Sequence, residues 1–402
     1  MSSNFTKKIT KNYARALILI SPLYKIASKV LDKPRQGFGQ KRIILLISRP
    51  QDVELLIGLH EKALHRQDLE VNFWVVDSCV NRYPEVLTQL KEKKAKVAHV
   101  VSHAGLAKCL KTLMRSDVFL STVESSTAKN KLPYIITRLA NKMDVDTYTL
   151  QHGFPNLGLS FCDHVYGPNI KFAAKTVLTW GPIEALPSWV SKETRNKSVA
   201  VGCPKKLMLF SNDLSMPTGE RPIIGVFENL HGHAYSKEYV ASFLAHLKET
   251  ASLRKDLRFI LKPHPASLRL RSKELQDLFN HLEDVEIAGS FDEETPAYTT
   301  PWLLSNAAGI ITTPSTIALD GAMLGVPVAM TLYGLDFYHT LYSPLVMLEN
   351  REDWESFLCK LNDGDELKRR NEEFLRRVIV PGDAASRILD LMSVGKKDRI
   401  QP

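Results

Sequence analysis

Arg42-Ile43-Ile44-Leu45-Leu46-Ile47 is a nearly unbroken apolar run, set between a Gly-, Pro- and Gln-rich linker at Lys33–Gln40 and a helical pattern at Val53–His65. A strand with apolar side chains on both faces has no solvent side, so such runs belong to parallel sheets covered above and below. From there the pattern alternates: strand Val71–Asp77, helix Pro84–Lys94, strand Ala95–Val101, helix Leu106–Met114, strand Val118–Thr122, helix Leu132–Asn141 and strand Thr147–Leu150. Regular alternation predicts right-handed βαβ crossovers and a doubly wound sheet.

A polar stretch, Ser211–Arg221 with Pro217 and Gly219, separates this series from a second one. The second runs strand Ile223–Phe227, helix Glu238–Thr250, strand Phe259–Lys262, helix Lys273–His281, strand Val285–Ile287, helix Pro301–Asn306, strand Gly309–Thr312, helix Ile317–Leu324 and strand Val326–Thr331. Helical patterns at Asp353–Cys359, Glu366–Arg377 and Ala384–Val394 follow. The fold class expected is α/β, with two Rossmann-like domains facing a cleft. The bounds expected are a basic amphipathic segment at 1–40, a first domain at 41–210, a linker at 211–221, a second domain at 222–372 and C-terminal helices at 373–402.

The length of 402 residues fits two or three domains, each able to bury a core, and no run of eighteen apolar residues is present to span a bilayer. The five cysteines are scattered without a C-x-x-C pair, which argues against a disulfide framework or zinc knuckle and fits a reducing cytoplasm. The net charge of +9 favours anionic partners. Lys7, Lys8, Lys11, Arg15, Lys25, Lys29, Lys33 and Arg35 face a single acid, Asp32, in residues 1–35. Phe5, Ile9, Tyr13, Leu17 and Ile20 recur there at helical spacing. A basic amphipathic helix of this kind suits an anionic inner-membrane surface, and equally a face packed on the protein's own body. Basic residues gathered at one terminus, without interleaved stacking aromatics, disfavour nucleic acid as a partner.

Candidate chemistry lies where strands end, because ligands of open α/β sheets sit beyond the carboxyl ends of the strands. Strand Phe259–Lys262 ends in Pro263-His264-Pro265, whose prolines fix the backbone around His264. Lys262 and His264 can hold a phosphate oxygen; a histidine satisfied within a rigid turn is the plainer alternative. Strand Gly309–Thr312 runs into Thr313-Pro314-Ser315-Thr316 and a helix, where peptide N–H groups, the helix dipole and the two hydroxyls suit an anion, although Ser315 or Thr316 can equally cap the helix. Glu228 and Asn229 end strand Ile223–Phe227, in position to read a base, ribose or acceptor hydroxyl. His231 and His233 lack an accompanying carboxylate or cysteine set, so no metal is expected. In the first domain Gln151-His152-Gly153 follows a strand, and His152 is a candidate general base. Asp163 and Glu124 are the alternative carboxylates; Asp163 reads otherwise as a loop acid, and Glu124 as a helix cap.

At Leu150-Gln151-His152-Gly153, Thr179-Trp180-Gly181-Pro182, Val201-Gly202-Cys203-Pro204-Lys205, Lys262-Pro263-His264-Pro265 and Pro314-Ser315-Thr316…Gly325-Val326-Pro327 the chain resembles bacterial surface-polysaccharide transferases of the GT-B fold. The resemblance covers roughly Leu150 to Tyr338. His264-Pro265 with the paired hydroxyls resembles the CMP-sugar enzymes, namely bacterial polysialyltransferases and capsular or O-antigen Kdo transferases. It implies that His264 and Ser315/Thr316 hold the phosphate of a CMP donor. His152-Gly153 is also similar to teichoic-acid glycerol-phosphate transferases, where the matching histidine is proposed as the base. The acidic pair followed by glycine at the polysialyltransferase base position is missing, which disfavours sialyl transfer.

These readings imply a nucleotide-sugar donor in the second domain, with Lys262, His264, Pro265, Ser315, Thr316, Glu228 and Asn229 around it. They imply a glycan or glycolipid acceptor in the first domain, with His152, Asp163 or Glu124 as the catalytic group. The expected reaction is transfer of a sugar, foremost Kdo, from a CMP donor without cofactor or metal. CDP-glycerol or CDP-ribitol phosphate transfer is the enzyme alternative, and a nucleotide- or glycan-binding protein the non-enzyme one. If transfer retains configuration, Asp163 or Glu124 is the candidate nucleophile. The expected location is the bacterial cytoplasm, peripheral to the inner membrane.

Overall fold

The computed structural model describes residues 39–127, 130–162, 169–206, 221–230, 235–264, 285–288, 298–362 and 364–394. The basic segment through residue 38, the predicted helix Lys273–His281, most of the predicted linker, and Asp163, His231, His233 and Pro265 lie outside the described residues. The chain forms two compact units, Met1–Lys206 with Ile379–Pro402, and Leu207–Val378. Among the described residues no helix is long and apolar enough to cross a membrane.

The first unit comprises β1 (Lys41–Ile47), α1 (Gln51–Ala63), β2 (Leu69–Val76), α2 (Asp77–Arg82), α3 (Glu85–Glu92), β3 (Val97–Val101), α4 (Leu106–Met114), β4 (Val118–Ser121), α5 (Lys131–Lys142), β5 (Asp146–Leu150), β6 (Thr176–Thr179), α6 (Lys192–Asn196) and β7 (Ser198–Ala200). The strands form one sheet in the order β3-β2-β1-β4-β5-β6-β7. Every neighbouring pair is parallel. Ile43 to Ile47 are each at most 1% exposed, as the apolar run requires of a strand covered on both faces.

The second unit comprises β8 (Ile223–Glu228), α7 (Lys237–Leu253), β9 (Arg258–Pro263), β10 (Val285–Ile287), α8 (Thr300–Asn306), β11 (Ala307–Thr312), α9 (Ile317–Met323), β12 (Val328–Thr331), α10 (Asp336–Tyr342), β13 (Val346–Leu348), α11 (Arg351–Cys359) and α12 (Gly364–Val378). Its parallel sheet is ordered β10-β9-β8-β11-β12-β13. Ile224, Val226, Phe243, Leu247, Phe259, Ile311, Trp354 and Phe357 belong to its buried core.

The last helix, α13 (Ala384–Ser393), belongs to the first unit and packs on α1. Lys41 Nζ donates to the carbonyls of Met392, Ser393 and Val394 at 3.0, 2.8 and 2.9 Å, placing a cation on the helix's orphan acceptors. The returning chain passes close to Gly202, whose φ is +87° and where a Cβ would lie 2.6 Å from the Val380 carbonyl oxygen. No other residue fits both the conformation and the space, which gives the Val201-Gly202-Cys203 motif a structural cause.

The structure adds β6, β7, β13, α2, α6 and α10 to the elements expected. The short strands β6, β7 and β13 show no period of their own; β7 is held instead by its pairing of Val177 with Ser198 and Thr179 with Ala200. Both sheets follow the Rossmann order, in which the chain reverses direction between the first and fourth strands. The switch points therefore fall between β1 and β4 in one unit and between β8 and β11 in the other.

Candidate functional site

In the second unit, strand register brings the separate sequence motifs together. Phe227 is opposite Lys262 on one side and Thr312 on the other, so Glu228-Asn229, Lys262-Pro263-His264 and the Thr313–Thr316 turn share one carboxyl edge. Glu228 is buried, and its carboxylate accepts the N–H of Leu230 at 2.7 Å and that of His264 at 3.0 Å. Glu228 thus joins the ends of β8 and β9 as a brace that positions His264. Asn229 donates its backbone N–H to Thr313 Oγ1 at 2.8 Å and its Nδ2 to the Pro314 carbonyl at 3.3 Å. Its Oδ1 is buried and has no hydrogen-bond partner among the described residues.

The Thr313–Thr316 turn is fixed through its carbonyls as well. Tyr342 donates its hydroxyl to the Ser315 carbonyl at 2.9 Å, and Tyr235 donates to the Pro314 carbonyl at 3.3 Å. Burial pushes both phenols well above their ordinary range, so they are donors at all working pH values. Ser315 Oγ accepts the Ile317 N–H at 3.2 Å and lies 3.0 Å from Thr312 Oγ1, so in this conformation the hydroxyl organises the start of α9. Thr316 precedes α9 in helical conformation and makes no side-chain cap. Lys262 and His264 are half-buried, and burial lowers the pKa of the Lys262 ammonium.

In the first unit the carboxyl edge carries larger charged groups. Gln151 is buried, accepting the Trp180 N–H at 3.0 Å and donating to the Gly153 carbonyl at 3.0 Å; it ties the end of β5 to that of β6. His152 is half-buried, and its Nδ1 lies 2.8 Å from Asn156 Oδ1, which also accepts the His152 backbone N–H at 3.1 Å. An amide oxygen can only accept, so Nδ1 carries the proton and Nε2 presents a lone pair. Arg49 Nη1 approaches that nitrogen at 3.4 Å, while Nη2 donates to Asn130 Oδ1 at 2.9 Å. Burial, reinforced by the Arg49 charge and opposed by the Asn156 bond, lowers the imidazole to about 4. His152 is therefore neutral at pH 7.

Glu124 is 1% exposed, and its carboxylate accepts the backbone N–H groups of Ala173 and Ala174. It does not cap α5, whose start at Asn130 has no side-chain cap. Burial pushes Glu124 up to about 7 against those two bonds and the Lys197 charge. Its contacts make it a brace for the 171–175 segment. Arg49, Asn130 and Asn156 escaped the sequence reading. Arg49 was nonetheless marked by the rule that selected His152, since it lies two residues beyond the end of a buried strand. Among the described residues no three His, Cys, Asp or Glu side chains group as a metal cage.

No family model matches the chain, and no curated protein matches it. Solved structures do. A putative UDP-N-acetylglucosamine 2-epimerase from Listeria monocytogenes superposes with a TM-score of 0.63 at 13% identity, covering 90% of this chain and 99% of that one. UDP-GlcNAc 2-epimerase from Neisseria meningitidis bound to UDP-GlcNAc gives 0.59 at 13% identity, with 88% and 99% covered. A variant of the wall teichoic acid polymerase TagF gives 0.54 at 10% identity, with 96% and 97% covered. The fold is GT-B. At these identities the likeness establishes architecture, and the chemistry must be argued from the residues.

Proposed function

We propose that this GT-B chain is a transferase that moves a sugar, foremost the sugar acid Kdo, from a CMP-activated donor to a bacterial capsule, O-antigen or lipid-linked glycan. The observation that carries the reading is the convergence of Lys262, His264 and the Thr313–Thr316 turn at the second unit's switch point. A braced turn with a lysine and a histidine beside it supplies preorganised donors to a leaving phosphate without metal. Asn229 Oδ1 is an acceptor for a hydroxyl or amino group of the nucleoside. The two epimerases among the solved structures are named for UDP-sugars, so the cytidine preference rests on the His264-Pro265 and Ser315-Thr316 resemblance alone.

In the first unit, His152 is assigned as the general base. The acceptor oxygen forms a bond to the anomeric carbon, the bond from that carbon to the CMP phosphate breaks, and the hydroxyl proton passes to Nε2. A base near pKa 4 is weak, so its proton affinity must rise when substrate is bound. A second reading, transfer of a polyol phosphate from a CDP donor, is favoured by the likeness to TagF along 96% of this chain. We place the protein in the bacterial cytoplasm, with residues 1–35 toward an anionic membrane surface.

Titration calorimetry with CMP, CDP and UDP, followed by product detection on a Kdo-terminated acceptor, tests the reading. CMP binding with Kdo transfer is expected. Turnover with CDP-glycerol alone would select the second reading, and CMP binding without turnover of any donor would leave a nucleotide-binding protein. His264→Ala should weaken CMP binding at least tenfold, whereas His152→Ala should leave it within twofold and abolish transfer. The reverse pattern refutes the assignment of roles.

A further inference from the structure

We propose that the carboxyl edge of the first unit carries an oxyanion subsite, built on the Arg49 guanidinium and shaped by Asn130 and His152, that takes a carboxylate or phosphate group of the reacting substrates. The subsite itself stands on the geometry of the first unit; only the source of the anion rests on the transferase reading above.

Arg49 follows β1 at the switch point, and its own backbone N–H is anchored to Asp52 Oδ2 at 2.9 Å. The guanidinium is oriented by neutral groups. Asn130 accepts from it and is itself held by donating Nδ2 to Ser125 Oγ at 2.9 Å, with Thr127 Oγ1 a further 3.0 Å from that hydroxyl. The other neighbour is the Nε2 lone pair of His152, whose tautomer is set by Asn156. Among the described residues no carboxylate forms an ion pair with Arg49. Asp52, the nearest acid in sequence, uses Oδ2 for the Ser48 and Arg49 backbone N–H groups, and burial raises its pKa.

Other arginines of this unit are used differently. Arg66 pairs with Asp68 and Asp390, while Arg195 donates to the carbonyls of Val190, Ile183 and Leu186. Those guanidiniums are consumed by the fold. Among the described residues Arg49 donates to no backbone carbonyl, and its guanidinium has N–H groups beyond the two turned to Asn130 and His152 for a ligand such as a carboxylate or phosphate. Its position also couples binding to the base. Arg49 is the charged group that bears on His152 among the described residues, and it lowers the imidazole's proton affinity. An anion seated on Arg49 cancels that field and makes His152 a better base when substrate is present.

The test is titration calorimetry of the full chain, saturated with CMP, against free Kdo and glycerol 3-phosphate, with Kdo methyl ester and glycerol as uncharged counterparts. Wild type should bind at least one anion tenfold or more tighter than its counterpart. Arg49→Gln should lose that preference, and Arg49→Lys should keep part of it. If Arg49→Gln does not fold, the lysine variant carries the comparison. Preference for Kdo assigns the subsite to the donor sugar, and preference for glycerol 3-phosphate to the acceptor. NMR titration of His152 should show its pKa rising with the bound anion in wild type and not in Arg49→Gln. No preference for either anion, or the same preference in Arg49→Gln, overturns the proposal. Failure of wild type to bind CMP instead sinks the nucleotide reading and leaves the anion comparison intact.

Discussion

Beyond β1, β4 and β5, the first unit presents long side chains, Arg49 and His152, each aimed by an amide: Asn130 for one and Asn156 for the other. Beyond β8, β9 and β11, the second unit presents a turn of the main chain, held from below by Glu228 and through its carbonyls by Tyr235 and Tyr342. The strand order around both switch points is the same. What differs is how geometry is secured. A side chain is aimed by one or two hydrogen bonds and can respond to a ligand's charge. A peptide turn points its N–H groups by having its carbonyls fixed elsewhere, so it meets a phosphate without rearranging. The first arrangement suits a group whose protonation must change during turnover, and the second suits a permanent hold on a leaving group.

The largest expected effect comes from removing the brace. Glu228→Ala leaves the N–H groups of Leu230 and His264 without their acceptor in a buried setting. At about 1–3 kcal/mol for each stranded donor, the second unit should lose about 2–6 kcal/mol. A chain of two units need not unfold in one step, so the measurement is native-state hydrogen exchange, resolved by unit. Faster exchange at Leu230, His264 and the β8–β9 ladder, with the first unit unchanged and CMP binding lost, supports the contrast. An equal loss in both units would break it.

The pH response separates two groups within the first unit. Glu124 is raised to about 7, so its contribution is present below the unfolded value of 4.5 and lost as pH rises through 7. His152 is lowered to about 4, so its neutral form costs stability as pH falls from 6.5 toward 4. Each shift corresponds to about 3 kcal/mol, and between roughly pH 4.5 and 6.5 the two slopes oppose one another. The prediction is therefore read as differences from wild type in the urea midpoint: across that window the Glu124→Gln difference should rise with pH, and the His152→Asn difference should fall. His60, His99 and His103, also lowered by burial, contribute to all three proteins and drop out of the differences. Parallel profiles for the two variants would show that neither group is buried in solution as described.

The architecture was legible because buried parallel strands announce themselves: the apolar runs at Arg42–Ile47 and Ile223–Phe227 lie in the central strands of their sheets. The short strands β6, β7 and β13 were not legible, since their extended form comes from register with a neighbour and not from their own pattern. The strand-end rule found His152, Lys262 and His264. It could not say that the carboxylates of Glu124 and Glu228 turn inward to peptide N–H groups, because a carboxylate bracing a loop and one facing substrate read alike in sequence. Nor could it find Tyr342, which reaches the Ser315 carbonyl from 27 residues away.

Tyr342 gives the smallest and most discriminating expected effect. Tyr342→Phe keeps the ring, which stacks on Phe374 at 6.2 Å between centroids, and removes only the donor to the Ser315 carbonyl. The loss should be about 1 kcal/mol of stability, with the turn less well fixed and the Kd for CMP raised about threefold to tenfold. The matched control is Tyr333→Phe in the same unit. Its hydroxyl accepts from Trp354 Nε1 at 2.9 Å and lies 3.1 Å from His246 Nδ1, neither of which belongs to the Thr313–Thr316 turn. That control should lose similar stability and leave the CMP affinity unchanged. If both variants weaken CMP alike, the hydroxyl of Tyr342 contributes only general stability. If Tyr342→Phe alone does so, the turn holds its ligand through geometry set by a carbonyl on its far side.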